Sequence, residues 1–358
     1  MTTATEVLAY PHVADQLARL VAKLGLDTFL DVAMHVFDEI CARSLAFPLG
    51  SPPLQSSGIN EDGTPIQLAT AVGPSQSGLH FIGEPGWTGS SETARHAAAE
   101  RCIAAAAAIL DAEGALAEVA PAIAIATSTG ADEWKTHRDG AYWIGVSFVS
   151  NQPPQLRLYV NGRWGSNPDR WSRMRGFAGW FGEADLWGLV EETSLGYLEP
   201  LGVSVNLSGR RVDGGRIYLT GYGNRIEFYL RLATAAGGAP LADIVAGYAS
   251  QVLADEIGYP TRTVVWSVGL GGAGEPDHKF EMCSHCLFPS DAVASTRLTT
   301  VFETSQLDPA PYTEMLRTVS EGRLSRSSVD VHCFAGVGTR SGVPYFPVYM
   351  KPILVRRR

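Results

Sequence analysis

The sequence predicts an α+β protein: a closed ten-stranded antiparallel β-barrel with a solvated lumen, surrounded by helices. Two observations lead to it. Five short segments alternate apolar with basic, aromatic or otherwise polar residues: LHFIGE (79–84), LRLYVN (156–161), RIEFYLRL (225–232), KFEMC (279–283) and YFPVYMK (345–351). Helix-periodic stretches lie between them, at 12–44, 91–117, 168–195, 239–257 and 306–322. Successive side chains of a strand point to opposite faces, so one face gathers Leu79, Phe81, Leu156, Leu158, Val160, Ile226, Phe228, Leu230, Phe280, Met282, Phe346 and Val348. That face is a wall for helices.

The opposite face carries His80, Arg157, Tyr159, Arg225, Glu227, Tyr229, Lys279, Glu281, Tyr345 and Tyr349. A dry core containing all of them would carry a large desolvation cost. In an open sheet with helices on one side, this face would lie uncovered in solvent. Closing ten strands encloses it in a wide lumen and removes the sheet edges.

Each alternating segment has an upstream partner, in chain order PIQLATAV (65–72), YWIGVSFV (142–149), a third strand, TVVWSVGL (263–270) and VDVHCFAGVG (329–338). Gly-Pro-Ser, Asn-Gln-Pro-Pro, Gly-Gly-Ala-Gly-Glu-Pro and Arg-Ser-Gly supply turns for four of these hairpins. The third hairpin admits two registers. A turn at Gly223-Asn224 sets Tyr222, Thr220, Tyr218 and Arg216 opposite Arg225, Glu227, Tyr229 and Arg231. Alternatively VSVNLS (203–208) pairs with RIYLTGY (216–222), and Arg216 and Tyr218 become the inward basic-aromatic pair. The expected organisation is a single unit over 1–358, with a helical N-terminal cap at about 1–50 and the barrel at about 60–352.

Composition narrows the function. Apolar residues make up 45% and charged residues 18%, as in a packed globular protein. The net charge is −9 and the cations are scattered apart from Arg356, Arg357 and Arg358, which argues against a nucleic-acid surface. The longest apolar run, Ala104–Leu110, is too short to cross a bilayer, and the N-terminal residues lack a secretory pattern, so a cytoplasmic location is expected. Five irregularly spaced cysteines do not form a disulfide framework. Cys283, His285 and Cys286, with His278 nearby, have a superficial zinc spacing, but alternate side chains diverge along one strand and no metal site is expected. GLGGAGEP (269–276) lacks the helix and Lys-Ser signature of a phosphate loop and reads as a turn.

The segment NEDGTPIQLATAVGPSQSGLHFIGEP (60–85) resembles the first hairpin of aromatic prenyltransferases of the dimethylallyltryptophan synthase type. Later hairpins follow the same scheme: basic-x-Tyr pairs end strands, and Tyr345, Tyr349 and Pro352 form a closing Tyr-x-x-x-Tyr-x-x-Pro. The resemblance covers about residues 60–352 and implies the αββα, or PT, barrel. It also implies transfer of a prenyl group, dimethylallyl being the expected one, from its diphosphate to an electron-rich indole, phenol or peptide.

That chemistry needs fixed cations for the departing diphosphate, in a preorganised site of low dielectric. Its carbocation needs aromatic faces and no water. The resemblance casts His80, Arg157, Arg216, Arg225 and Lys279 as diphosphate ligands and Tyr159, Tyr218, Tyr229, Tyr345 and Tyr349 as a tyrosine shield. Gln67 stands where a glutamate would hold the acceptor's N–H, His80 where an arginine is usual, Glu227 where lysine is usual and Glu281 where tyrosine is usual. Glu227 and Glu281 are therefore either ion-pair members or the base that takes the ring proton. The alternative is acid–base cyclisation or rearrangement in the same barrel without a prenyl diphosphate. No cofactor is required on this reading, though Mg²⁺ could assist.

Overall fold

In the computed structural model, which describes residues 7–74, 78–86, 91–128, 131–221, 223, 225–253, 264–271, 277–340 and 342–354, helices and hairpins alternate along the chain. Helices α1 (Ala9–Lys23) and α2 (Leu30–Cys41) precede strands β1 (Ile66–Val72) and β2 (Gly78–Gly83). Then come α3 (Glu92–Ile109), α4 (Glu113–Ala126), α5 (Ala131–Lys135), β3 (Tyr142–Val149) and β4 (Gln155–Asn161). Next are α6 (Asn167–Trp180), α7 (Ala184–Ser194), β5 (Leu198–Ser208), β6 (Arg211–Gly221) and α8 (Ile226–Leu253). The chain ends with β7 (Val264–Leu270), β8 (His278–Cys283), α9 (Ser284–Leu287), α10 (Asp291–Thr304), α11 (Ala310–Val319), β9 (His332–Arg340) and β10 (Val343–Met350).

All ten strands pair antiparallel with their sequence neighbours, and β1 closes the barrel on β10 with Leu68 opposite Met350 and Thr70 opposite Val348. The expected closed barrel is therefore observed. Its core lies between the outer barrel wall and the helices. Phe81, Phe148, Phe280 and Trp266 on the wall are fully buried, as are Phe37, Phe177 and Trp187 on the helices. Phe37 meets Phe81 edge-on at 5.7 Å between centroids. Helix α1 shows how sequence places this layer: Val13, Leu17, Leu20 and Val21 recur at helical spacing and are all buried. Side-chain oxygens of Ser91, Ser166 and Ser290 cap α3, α6 and α10 by accepting first-turn N–H groups.

The third hairpin departs from one expected register and follows the other. β5 and β6 turn at Gly209-Arg210, with Gly209 in the left-handed region at φ +53°. Residues 225–232 are not a strand but lead into α8. The alternation of Arg225, Glu227, Tyr229 and Arg231 is overridden by a helical apolar stripe, in which Phe228, Tyr229, Leu232 and Ala233 are buried while Arg225, Glu227 and Arg231 are exposed. Tyr229 packs outside the barrel against Phe280, at 5.2 Å between centroids. Arg225, Glu227 and Tyr229 are thus removed from the lumen.

Among the described residues no helix is long and apolar enough to cross a membrane. Tyr222, most of the 269–276 glycine turn and Arg356–Arg358 lie outside the described residues.

Candidate active site in the barrel lumen

The five hairpin turns lie at one end of the barrel, and a cavity of about 910 Å³ opens among them. Strand register explains how large polar side chains fit inside. Along the inner wall Arg157 faces Gly145 and Asn206, Tyr159 faces Ser204, and Ser204 faces Arg216. Arg216 faces Gly269, Tyr218 faces Ser267, Ser267 faces Lys279, and Gly338 lies between Lys279 and Tyr345. A glycine, serine or asparagine thus sits beside each of these cations and rings. The spacing is tight: a Cβ on Gly145 would lie 2.7 Å from His80 Cε1, and one on Gly338 would lie 2.7 Å from Tyr345 Cζ.

Three cations converge here. Arg157, on β4, lines the cavity and donates through Nε to Asn206 Oδ1 at 2.5 Å and through Nη2 to Gln155 Oε1 at 3.3 Å. Arg216, on β6, is buried and donates to Ser267 Oγ at 3.0 Å and to the Asp277 carboxylate. Lys279, on β8, is buried and donates to the Tyr349 hydroxyl at 3.4 Å. Burial lowers the Lys279 pKa to about 8; Glu281 opposes the shift, while Arg216 and Arg157 add to it.

The aromatic groups surround these charges. Tyr159 and Tyr218 lie 5.9 Å apart between centroids, and the Tyr218 hydroxyl is 3.1 Å from Ser204 Oγ. Tyr345 donates to Asp277 at 3.2 Å, and the Lys279 ammonium stands 5.8 Å from the centre of its ring. Tyr349 lines the cavity, and burial together with nearby Glu281 holds its hydroxyl protonated, far above the ordinary tyrosine range.

His80 is neutral: burial, with Arg157 and Lys279 nearby, drives its pKa well below the ordinary value. Its Nδ1 lies 3.0 Å from the Val146 carbonyl, which can only accept, so Nδ1 carries the proton and Nε2 accepts from Tyr159 at 3.3 Å. In this state His80 offers an anion no charge.

Gln67 is fixed by the loop beneath the barrel, at the end opposite the hairpin turns. Its amide NH₂ donates to the Ile59 carbonyl at 3.1 Å and to Asn60 Oδ1 at 2.9 Å, and Asn60 in turn donates to the Thr64 and Ile66 carbonyls. Because Ile59 presents only an acceptor, the Gln67 carbonyl oxygen is the group left to a ligand. Glu281 is buried, its Oε1 has no hydrogen-bond partner among the described residues, and Lys279 Nζ stands 3.9 Å away.

Of the residues expected at the site, the structure gathers His80, Arg157, Arg216, Lys279, Tyr159, Tyr218, Tyr345 and Tyr349 around the lumen, with Gln67 and Glu281 facing it. Arg225, Glu227 and Tyr229 lie elsewhere. Asp277, Ser267 and Asn206 were missed. The alternation of Val203, Val205 and Leu207 with Ser204 and Asn206 could have revealed Asn206, whereas Asp277 follows a glycine turn with no periodic signal.

No family model and no curated protein matches the sequence. Solved structures do match, and they place the chain in the PT-barrel fold of aromatic prenyltransferases. The 6-dimethylallyltryptophan synthase of Micromonospora olivasterospora, in complex with DMASPP and Trp, superposes with a TM-score of 0.84 at 17% identity, over 96% of this chain and 97% of that one. The 5-dimethylallyltryptophan synthase of Streptomyces coelicolor gives 0.83 at 15% identity, over 99% and 100%. PriB, in a binary complex with product diphosphate, gives 0.81 at 16% identity, over 98% of each chain. The resemblance read from the hairpins therefore holds at the level of the fold.

Proposed function

We propose that this protein transfers a prenyl group, dimethylallyl in size, from its diphosphate to an electron-rich aromatic acceptor inside the barrel. The observation that carries this reading is the convergence of Arg157, Arg216 and Lys279 on a cavity ringed by Tyr345 and Tyr349, with Tyr159 and Tyr218 behind. Likeness to folds solved with DMASPP and Trp, or with product diphosphate, supports it.

In the proposed reaction the allylic C–O bond breaks and its electron pair leaves with the diphosphate. Arg157 and Arg216 take the phosphate oxygens through guanidinium N–H groups, and Lys279 adds a point charge. Asp277 aims Arg216 before the diphosphate arrives. The allyl cation is held over tyrosine faces, each contributing roughly 0.5–2 kcal/mol, while the enclosed wall excludes water. A ring carbon of the acceptor supplies the pair for the new C–C bond, and the ring then loses a proton. We assign that proton to Glu281, a buried carboxylate facing the lumen whose Oε1 has no hydrogen-bond partner among the described residues. His80 serves to orient the Tyr159 hydroxyl, and the Gln67 carbonyl is the acceptor's N–H or O–H contact.

Three side-chain cations bring the charge that a metal would otherwise supply, and assays with and without Mg²⁺ test whether it is still needed. The cyclisation alternative rested on two lumen carboxylates, of which Glu227 is exposed on α8. A cytoplasmic location belongs to the same proposal. The test is incubation of the purified protein with dimethylallyl diphosphate and a panel of indoles, phenols and peptides. A product heavier by one prenyl unit is expected; none across the panel overturns the reading.

A further inference from the structure

Outside the lumen, a second cavity of about 290 Å³ lies between α8 and the outer barrel wall. It is walled by Ala236, Gly237, Pro240, Leu241 and Ile244 of α8, by Thr339 of β9 and by Gly342, with no charged side chain among them. Helix α8 breaks over it. Gly238 adopts φ +72°, which favours glycine, and Pro240 has no N–H to donate.

His278 of β8 completes the lining. It is 2% exposed, and among the described residues neither ring nitrogen meets a partner at full hydrogen-bond geometry. The other two barrel histidines differ: His80 and His332 each have both ring nitrogens within hydrogen-bond distance of a partner. The Ala236 carbonyl of α8 acts as a loose hydrogen-bond acceptor towards the ring and favours protonation of His278, which leaves the other ring nitrogen without a partner among the described residues. Burial and nearby Arg216 still lower its pKa to about 4, so the ring is neutral, with one donor and one acceptor nitrogen. A buried imidazole nitrogen left without a partner is costly, and a ligand whose N–H or O–H bonds it removes that cost.

We propose that this cavity is a binding site for a small uncharged apolar molecule carrying one N–H or O–H, of the size of indole or phenol, which hydrogen-bonds His278. The volume lies near the lower end for small-molecule pockets, and the uncharged lining disfavours ions. His278 lies between Asp277 and Lys279, both of which line the lumen cavity, so the two sites share one strand. The site stands independently of the prenyl-transfer reading.

The test follows the ring signals of ¹³C-labelled histidines in the full chain as indole is added, with His278→Gln and His80→Gln assigning two of the eight histidines. A saturable shift of the His278 signal is expected. It should be lost in both Leu241→Trp and Ile244→Trp, which fill the cavity from α8, while any response of His80 persists; two filling variants guard against one failing to fold. A His278 signal that stays fixed up to the solubility of indole overturns the proposal, whether or not His80 responds. A shift that survives in a folded filling variant overturns it too, because the ligand would then be elsewhere. A response of His80 alone would sink the outer site and leave the lumen reading intact.

Discussion

Lys279 Nζ stands 3.9 Å from Glu281 Oε1, two residues along β8 on the same inner face, and both side chains are buried. The pair sets the lysine's charge within the working pH range. Burial lowers its pKa from 10.5 to about 8, and Glu281 limits the fall. The group should therefore give opposite pH signatures in binding and in stability.

Affinity for a dimethylallyl diphosphate analogue should decline as pH rises through about 8, where Lys279 loses its proton. Stability should do the reverse. Between about 8 and 10.5 the unfolded chain holds this proton and the folded chain does not, so this group's contribution to stability rises with pH across that window. Glu281→Gln removes the opposing charge and should move the decline in affinity to lower pH. Calorimetric titration of wild type and variant across pH checks the shift; coincident profiles would separate Glu281 from Lys279.

Arg216 and Arg225 are expected to behave as opposites. Arg216→Gln should weaken binding of the diphosphate analogue by about 100-fold, the loss typical of a buried, hydrogen-bonded charge. Arg225→Ala and Glu227→Gln, both at exposed positions of the α8 segment, should stay within about twofold of wild type. A large effect at Arg225 would mean that residues 225–232 reach the lumen after all.

Tyr349 lines the cavity with its hydroxyl 3.4 Å from Lys279. If its ring face stabilises the allyl cation, Tyr349→Phe should retain most of kcat, while Tyr349→Ala should lose about 2- to 30-fold, the range of one cation–π contact. Single-turnover rates would show this. Equal losses in both variants would assign the role to the hydroxyl.

Gln67→Glu should destabilise the protein. A carboxylate there would face the Ile59 carbonyl and Asn60 Oδ1, two acceptors now served by the amide NH₂. Asn60 Oδ1 would keep its Cys333 Sγ donor, but the Ile59 carbonyl would lose the amide, a cost of about 1–3 kcal/mol with the carboxylate's own repulsion, measurable as a lower urea midpoint at unchanged slope. An unchanged midpoint would mean that Gln67 does not anchor the floor.

The closed barrel was legible because the two-residue period of a strand separates Leu156 and Leu158 from Arg157 and Tyr159 without reference to any other strand. The third hairpin was not, because 225–232 satisfies a strand pattern and a helix pattern at once, and only the helix buries Phe228, Tyr229, Leu232 and Ala233 together. Lys279 and Glu281 could be read as inward residues. The link from Asp277 to Arg216 could not, since it joins a turn to another strand and exists only once the register is set. Gln67 was visible as a residue type, but the direction of its amide depends on Ile59, in the loop below.

The most direct test of the central claim is calorimetric titration of dimethylallyl thiolodiphosphate into wild type and Arg157→Ala, each with and without Mg²⁺. Micromolar binding at one site in wild type, lost in the variant, is the expected result and would place the prenyl diphosphate among the lumen cations. No binding by wild type in either condition would contradict the account.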